Sequence, residues 1–356
     1  MPISRRTLLS SIPVLAFVPR VLGQAKPVVP IRALNYFALS VSDMQRSIDF
    51  YQGLFGMPIQ ARQGANVLLR IGDGPQFLLL QPAGTNPPAI EPRLGFTVDN
   101  FNADRIVGQL AQHGVTAADP ATPGLAGGAM RVRVSRRGAD AGGAREGTPE
   151  LFFGDPDGLV VQVQDVSYAG GAGGMGQVVR VEASPKKGLM ALKDMNHFTI
   201  NASDGNRSAA FYQEAFGFPV RSRQATTPGL GVGPGKMFLM FIGGGGGRRG
   251  AAPPGAGAAP AGPARRASIN HVCMNMEGFE PKAVMKTLAD YGITERSGNG
   301  PAGPLKSYVT LRMPDRGGAE GGTPELYFTD PDGLLIQLQD VKYCGGGGFL
   351  GDVCLA

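Results

Sequence analysis

The sequence predicts an α+β fold of two tandem copies of one module, each made of paired βαβββ units. Three observations carry this. The chain repeats itself: Asn35-Tyr36-Phe37, Ser42-Asp43, Arg46-Ser47, Phe50-Tyr51, Phe55-Gly56 and Pro58 return 161 residues later as Asn196-His197-Phe198, Ser203-Asp204, Arg207-Ser208, Phe211-Tyr212, Phe216-Gly217 and Pro219. Phe101 to Gly114 matches Phe279 to Gly292 at offset 178, and Gly147 to Val166 recurs at offset 175. The length of 356 residues suits two domains, and a hydrophobic share of 42% against 17% charged is enough to build cores. Within each copy the local pattern alternates between strand and helix signals.

The elements follow in order. Residues 1–25 read as an export signal peptide, in which Arg5 and Arg6 precede an apolar stretch from Leu8 to Val18 and small residues follow. The first module spans 30–168. Its opening strand ends at Ser42-Asp43, an N-cap signal, and the helix carrying Phe50-Tyr51 stops at Phe55-Gly56. Strands are expected at 67–71, 76–81 and 94–98, then a helix closing at Gly114, then two strands joined by Asp155-Pro156-Asp157-Gly158, whose Asp-Gly suits a tight hairpin. Residues 169–190 are read as a linker. The second module, 191–343, repeats the order, with strands at 237–242 and 271–276. Its largest insertion, 243–264, has almost no large apolar side chain and reads as a flexible Gly/Ala/Pro loop. A glycine-rich tail, 344–356, ends the chain.

Composition excludes several classes. No apolar run of 18 residues occurs beyond the N-terminus, so the mature chain has no expected membrane span. Three cysteines and no CxxC argue against a disulfide scaffold or a zinc finger. The net charge of +6 comes partly from the signal and the Gly/Ala/Pro tract, and no basic run is interleaved with aromatics, so nucleic acid is not an expected partner. Cys344 and Cys354 flank the tail and are open to pairing or to remaining free thiols.

The Ser-Asp, Phe-Tyr, Phe-Gly and DPDG signatures resemble the vicinal oxygen chelate superfamily of glyoxalases, bleomycin-resistance proteins and extradiol dioxygenases, over nearly the whole mature chain. The resemblance implies that each module curls its sheet into a half-barrel cavity. It also implies metal ligands on the first strand, on the strand opening the second half, and four residues after the DPDG glycine. In the second module these positions hold His197, His271 and Gln337; in the first they hold Tyr36, Arg93 and Gln162. Two of only three histidines thus fall on ligand positions of one module. The family usually places Glu where Gln337 stands, so the implied ion (Fe, Zn or Mn) would keep its full charge and favour an anionic ligand. Cys273 and Gln339 share the strand faces of His271 and Gln337 and are possible supplements. Tyr327, ten residues before Gln337, matches a substrate-contacting tyrosine of extradiol dioxygenases, whereas the first module has Phe152 there. The two further active-site histidines of those enzymes have no counterpart. Arg93 is expected to fill or bridge the first module's cavity, which would exclude a cation by charge.

The Ser4-Arg5-Arg6-Thr7-Leu8-Leu9 string resembles the bacterial twin-arginine signal, which implies export to the periplasm or beyond. Two functions stay open: a metal-dependent dioxygenase or lyase acting on a small oxygen-chelating substrate, and a metal-free protein that sequesters a small molecule. The expected partner is a small molecule in either case.

Overall fold

The computed structural model describes residues 28–178, 180–243 and 267–355. The export signal and nearly all of the Gly/Ala/Pro insertion lie outside the described residues. The first module runs β1 (Ile31–Val41), α1 (Met44–Phe55), β2 (Ile59–Gln63), β3 (Asn66–Arg70), β4 (Phe77–Pro82), β5 (Ala89–Val98), α2 (Ala103–Ala111), β6 (Thr116–Ala117), β7 (Arg131–Arg137), β8 (Thr148–Gly154) and β9 (Val160–Asp165). The second runs β10 (Leu192–Asn201), α3 (Gly205–Phe216), β11 (Val220–Gln224), β12 (Thr227–Gly231), β13 (Phe238–Ile242), β14 (Ser268–Met276), α4 (Pro281–Asp290), β15 (Thr294–Glu295), β16 (Lys306–Arg312), β17 (Thr323–Thr329) and β18 (Leu335–Asp340). The tandem α+β organisation read from the repeats is therefore present. The second half of each module carries one extra two-residue strand at the sheet edge.

Each module is one curled mixed sheet of nine strands. The orders are β2-β3-β4-β1-β5-β9-β8-β7-β6 and β11-β12-β13-β10-β14-β18-β17-β16-β15. The two central strands of each sheet run antiparallel (β1 with β5, β10 with β14), and each has a parallel partner on its other side. The helix ends follow the sequence signals. Asp43 and Asp204 cap α1 and α3 through their side chains, and Gly56 and Gly217 stop them in the left-handed conformation, both at φ 68°.

The DPDG turns do more than close a hairpin. Asp155 Oδ1 accepts from the N–H groups of Asp157 and Leu159, both at 2.9 Å, which makes the turn. Asp157 then reaches across to the second module, accepting from Ser203 N at 2.8 Å and Ser203 Oγ at 2.5 Å and pairing with Arg207. Asp332 does the same to Ser42 and Arg46 of the first module. Behind these clamps Tyr212 donates to Asp155 and Tyr51 to Asp330. Phe153 packs on Phe211 and Phe216, and Phe328 on Phe50 and Phe55. Each helix that follows a Ser-Asp cap is thus buried against the other module, and one continuous apolar core joins the two sheets.

The segments after β9 and β18 also match. Arg137 and Arg312 each bond a carbonyl of the glycine-rich loop, at Gly171 and Gly346, while Thr148 and Thr323 bond Gly173 and Gly348. The start of the expected linker is therefore folded onto the first module just as the tail is folded onto the second. In the tail, Cys344 and Cys354 form a disulfide.

Candidate metal centre

The concave faces of the two sheets differ in filling. In the first module Tyr36, Leu68, Phe77, Leu79 and Tyr168 form a buried cluster, with Tyr36 stacked on Phe77 at 4.9 Å. Tyr36 donates its hydroxyl to Gln162 Oε1 at 2.6 Å, and Tyr168 lies beside the Gln162 amide nitrogen. Tyr36 fills the centre of this face, and Arg93 lies over its ring. On the same strand face as Gly95, Arg93 sets its guanidinium 5.9 Å from the Tyr36 ring centroid and donates to Gln81 Oε1 at 2.8 Å. Gly95 makes room: a Cβ there would lie 2.3 Å from the Tyr36 ring.

Among the changes at these positions in the second module, two bring smaller or more polar groups and one brings a larger group. His197 stands for Tyr36, Gly229 for Leu68 and Cys273 for Gly95. His197 stacks on Phe238 at 4.3 Å, and its Nε2 faces His271 Nε2 at 3.3 Å. Gln337 pairs across β14 and β18 with Cys273, and across β17 and β18 with Tyr327. Its amide lies against both imidazoles. Neither Oε1 nor Nε2 of this buried amide makes a well-formed hydrogen bond, although it lies close enough to raise both imidazole pKa values against burial. Tyr327 meets His271 edge-on at 5.3 Å and stacks on Tyr308 at 5.2 Å, over which Arg296 lies. The structure thus brings His197, His271, Gln337 and Tyr327 together.

The electrostatics favour neutral donors. Burial, and then the neighbouring His271, push the His197 pKa well below its usual value. Burial takes His271 down to about 4, against a smaller opposing effect of the Gln337 amide. Both rings are neutral at pH 7 and offer lone pairs. Burial raises the Cys273 thiol, which stays protonated, and Gln339 bonds the Pro324 carbonyl. The Tyr327 hydroxyl leans toward Glu325 Oε2 at 3.5 Å. Glu325 is itself buried and held by Arg312 at 2.8 Å and Tyr343 at 3.0 Å. That triad repeats Arg137, Glu150 and Tyr168 of the first module, so it belongs to the fold, whereas Tyr327 belongs to the second module alone.

The donor set fits a divalent ion in type and spacing. Two imidazole nitrogens 3.3 Å apart are spaced like adjacent ligands on one ion with bonds of about 2.1 Å. The Gln337 amide oxygen is a third donor. Among the described residues no three His, Cys, Asp or Glu side chains cluster, so no carboxylate joins the set.

The glyoxalase/bleomycin resistance protein/dioxygenase superfamily model matches residues 33–163 and 194–338. The chain belongs to that superfamily. No curated protein is a detectable sequence relative. Among solved structures, a catechol 2,3-dioxygenase is similar at TM-score 0.54 and 16% identity, covering 90% of this chain and 88% of that one. Homoprotocatechuate 2,3-dioxygenase from Arthrobacter globiformis is similar at TM-score 0.55 and 16% identity, covering 88% and 81%. The Brevibacterium fuscum enzyme, in its anaerobic complex with 3,4-dihydroxyphenylacetate, reaches TM-score 0.55 at 18% identity, covering 88% and 83%. These likenesses are of fold. The two modules of this chain differ in what fills the face: Tyr36 over Gln162 in the first, and the buried His197 and His271 beside Gln337 in the second.

Asn196 and Asn270, which touch the two histidines, escaped the sequence reading. The signal was present in the repeated Asn-His dipeptide.

Proposed function

We propose that the protein is an exported, metal-dependent enzyme of the dioxygenase-like branch, acting on a small anionic substrate through two adjacent oxygens. One observation carries this reading. Gln162 and Gln337 occupy the same place in the two modules; the first accepts from Tyr36 at 2.6 Å, and the second makes no well-formed hydrogen bond although it lies against two neutral imidazoles. An unsatisfied buried amide costs about 1–3 kcal/mol, and an ion bound to its oxygen would relieve that cost.

His197, His271 and Gln337 would hold the ion. A divalent ion there supplies Lewis acidity, and dioxygen binding if it is iron. Its three protein ligands are neutral, so a substrate binding as an anion supplies the missing charge. The aromatic wall of Tyr327 and Tyr308 suits a planar substrate. The Tyr327 hydroxyl is placed to keep its proton directed at Glu325 Oε2 or to hand it to substrate oxygen. The solved relatives named for catechol and homoprotocatechuate make aromatic diols the first substrates to try.

Metal analysis of untagged protein tests the reading, with about one iron, zinc or manganese per chain expected and none in His271→Ala. Metal-free wild-type protein that still binds small phenols would favour the sequestering function instead, which the lack of a carboxylate ligand supports. For export, the Arg5-Arg6 pair and a disulfide suited to an oxidising compartment are the support. Replacing both arginines by Lys should trap precursor in the cytoplasm, and unchanged export would sink the twin-arginine reading.

A further inference from the structure

A neutral imidazole carries its proton on Nδ1 or on Nε2, and only the bare nitrogen can bind a cation. Two histidines serve one ion here only if both leave Nε2 bare. Asn196 directly precedes His197, and Asn270 directly precedes His271. In a regular strand, neighbouring side chains point to opposite faces and do not meet.

Both asparagines are extra residues in the ladder. Pairing of β10 with β14 steps from Met195↔Met274 to His197↔Cys273, leaving out Asn196. It then steps from Thr199↔His271 to Ile200↔Ile269, leaving out Asn270. Such bulges re-aim side chains. The result is His197 Nδ1 at 2.7 Å from Asn196 Oδ1, and His271 Nδ1 at 2.8 Å from Asn270 Oδ1.

The Asn196 amide cannot be turned round without loss, because its Nδ2 donates to the Tyr343 carbonyl at 2.8 Å. Its oxygen therefore faces His197, and an amide oxygen only accepts. The proton sits on His197 Nδ1 and the lone pair on Nε2. The first module supplies the control. Asn35 keeps the same bond, to the Tyr168 carbonyl at 3.1 Å, but its Oδ1 has no partner, since residue 36 is Tyr.

We propose that Asn196 and Asn270 are positioning residues that aim both Nε2 lone pairs at one point. The amide of Asn196, fixed by the Tyr343 carbonyl, locks His197 in the Nδ1–H form. Asn270, which no second side-chain bond fixes among the described residues, biases His271 to the same form over an Nε2–H···Nε2 bond across the 3.3 Å between the rings. As a preparation for metal this rests on the proposed function; as a statement about tautomers it stands by itself. The test is nitrogen NMR of 15N-histidine in chelator-treated, metal-free mature chain at pH 7. Both histidines should show protonated Nδ1 and bare Nε2. Asn270→Leu should release His271 toward the Nε2–H form, and Asn270→Asp should restore it. Because Asn270 is exposed and makes no other side-chain bond among the described residues, its variants test the idea even if Asn196→Leu fails to fold. Zn²⁺ affinity should fall about 10–100-fold in each Leu variant and recover in the Asp variant. Nε2–H on either wild-type ring, or unchanged tautomers in Asn270→Leu, would overturn the proposal. Locked tautomers with no Zn²⁺ binding would uphold the lock and count against the metal reading alone.

Discussion

Replacing Asp155 or Asp330 by Asn should remove a pH-dependent weakness from the junction between the modules. Each carboxylate closes its own DPDG turn through two N–H bonds of 2.9 Å and faces a tyrosine of the other module. Burial pushes both pKa values from 3.8 to about 6, and the backbone N–H groups only partly offset it. Two units at about 1.4 kcal/mol each amount to about 3 kcal/mol per carboxyl. The folded state keeps a proton that the unfolded chain has already released. Its contribution to stability is therefore fully present below about pH 4 and is lost as pH rises through about 6. Asn accepts the same two N–H bonds and does not titrate. Urea unfolding of wild type, Asp155→Asn and Asp330→Asn between pH 4 and 7 is the assay. Each variant should gain up to about 3 kcal/mol on wild type across that window. Profiles that stay parallel would refute the argument, because the carboxyls would then titrate alike in both states.

Gln337→Glu should tighten Zn²⁺ binding at least about tenfold in a chelator-competition titration, since it adds a charge to a neutral ligand set; unchanged affinity removes Gln337 from the site. His271→Ala should abolish metal binding and leave the far-ultraviolet dichroism of the fold intact, because one core joining both sheets carries stability. Gly95→Ala should cost about 1–3 kcal/mol by driving a methyl group into the Tyr36 ring, and much less in a Tyr36→Ala background. Equal costs in the two backgrounds would show that the crowding lies elsewhere. Cys344→Ala should lower stability by about 2–3 kcal/mol, read as the urea midpoint with and without reductant.

By itself, the sequence determined the module, its duplication and the residues on which chemistry was to be sought. Those features are periodic and local. Strand alternation, Asp caps, Gly stops and DPDG turns act within a few residues, and a duplicated chain displays its own alignment, so that His197 can be set against Tyr36 and His271 against Arg93. The repeat of Arg137, Glu150 and Tyr168 as Arg312, Glu325 and Tyr343 was equally legible, though its meaning as a buried polar support was not.

Only the tertiary structure decided which contacts those residues make. Ser42 meets Asp332 across 290 positions, a pairing that no periodicity encodes, so the DPDG turn's second role was invisible. The same holds for the bulges at Asn196 and Asn270. A bulge is a property of two paired strands, and each strand alone predicts that neighbouring side chains diverge. Packing also decided how the first cavity is shared: the Tyr36 ring reaches Gln162, and Arg93 lies over that ring and bonds Gln81. Whether a buried amide is satisfied depends on every group around it. That is why Gln162 and Gln337, equivalent positions of the repeat, differ in chemistry once the sheets have curled.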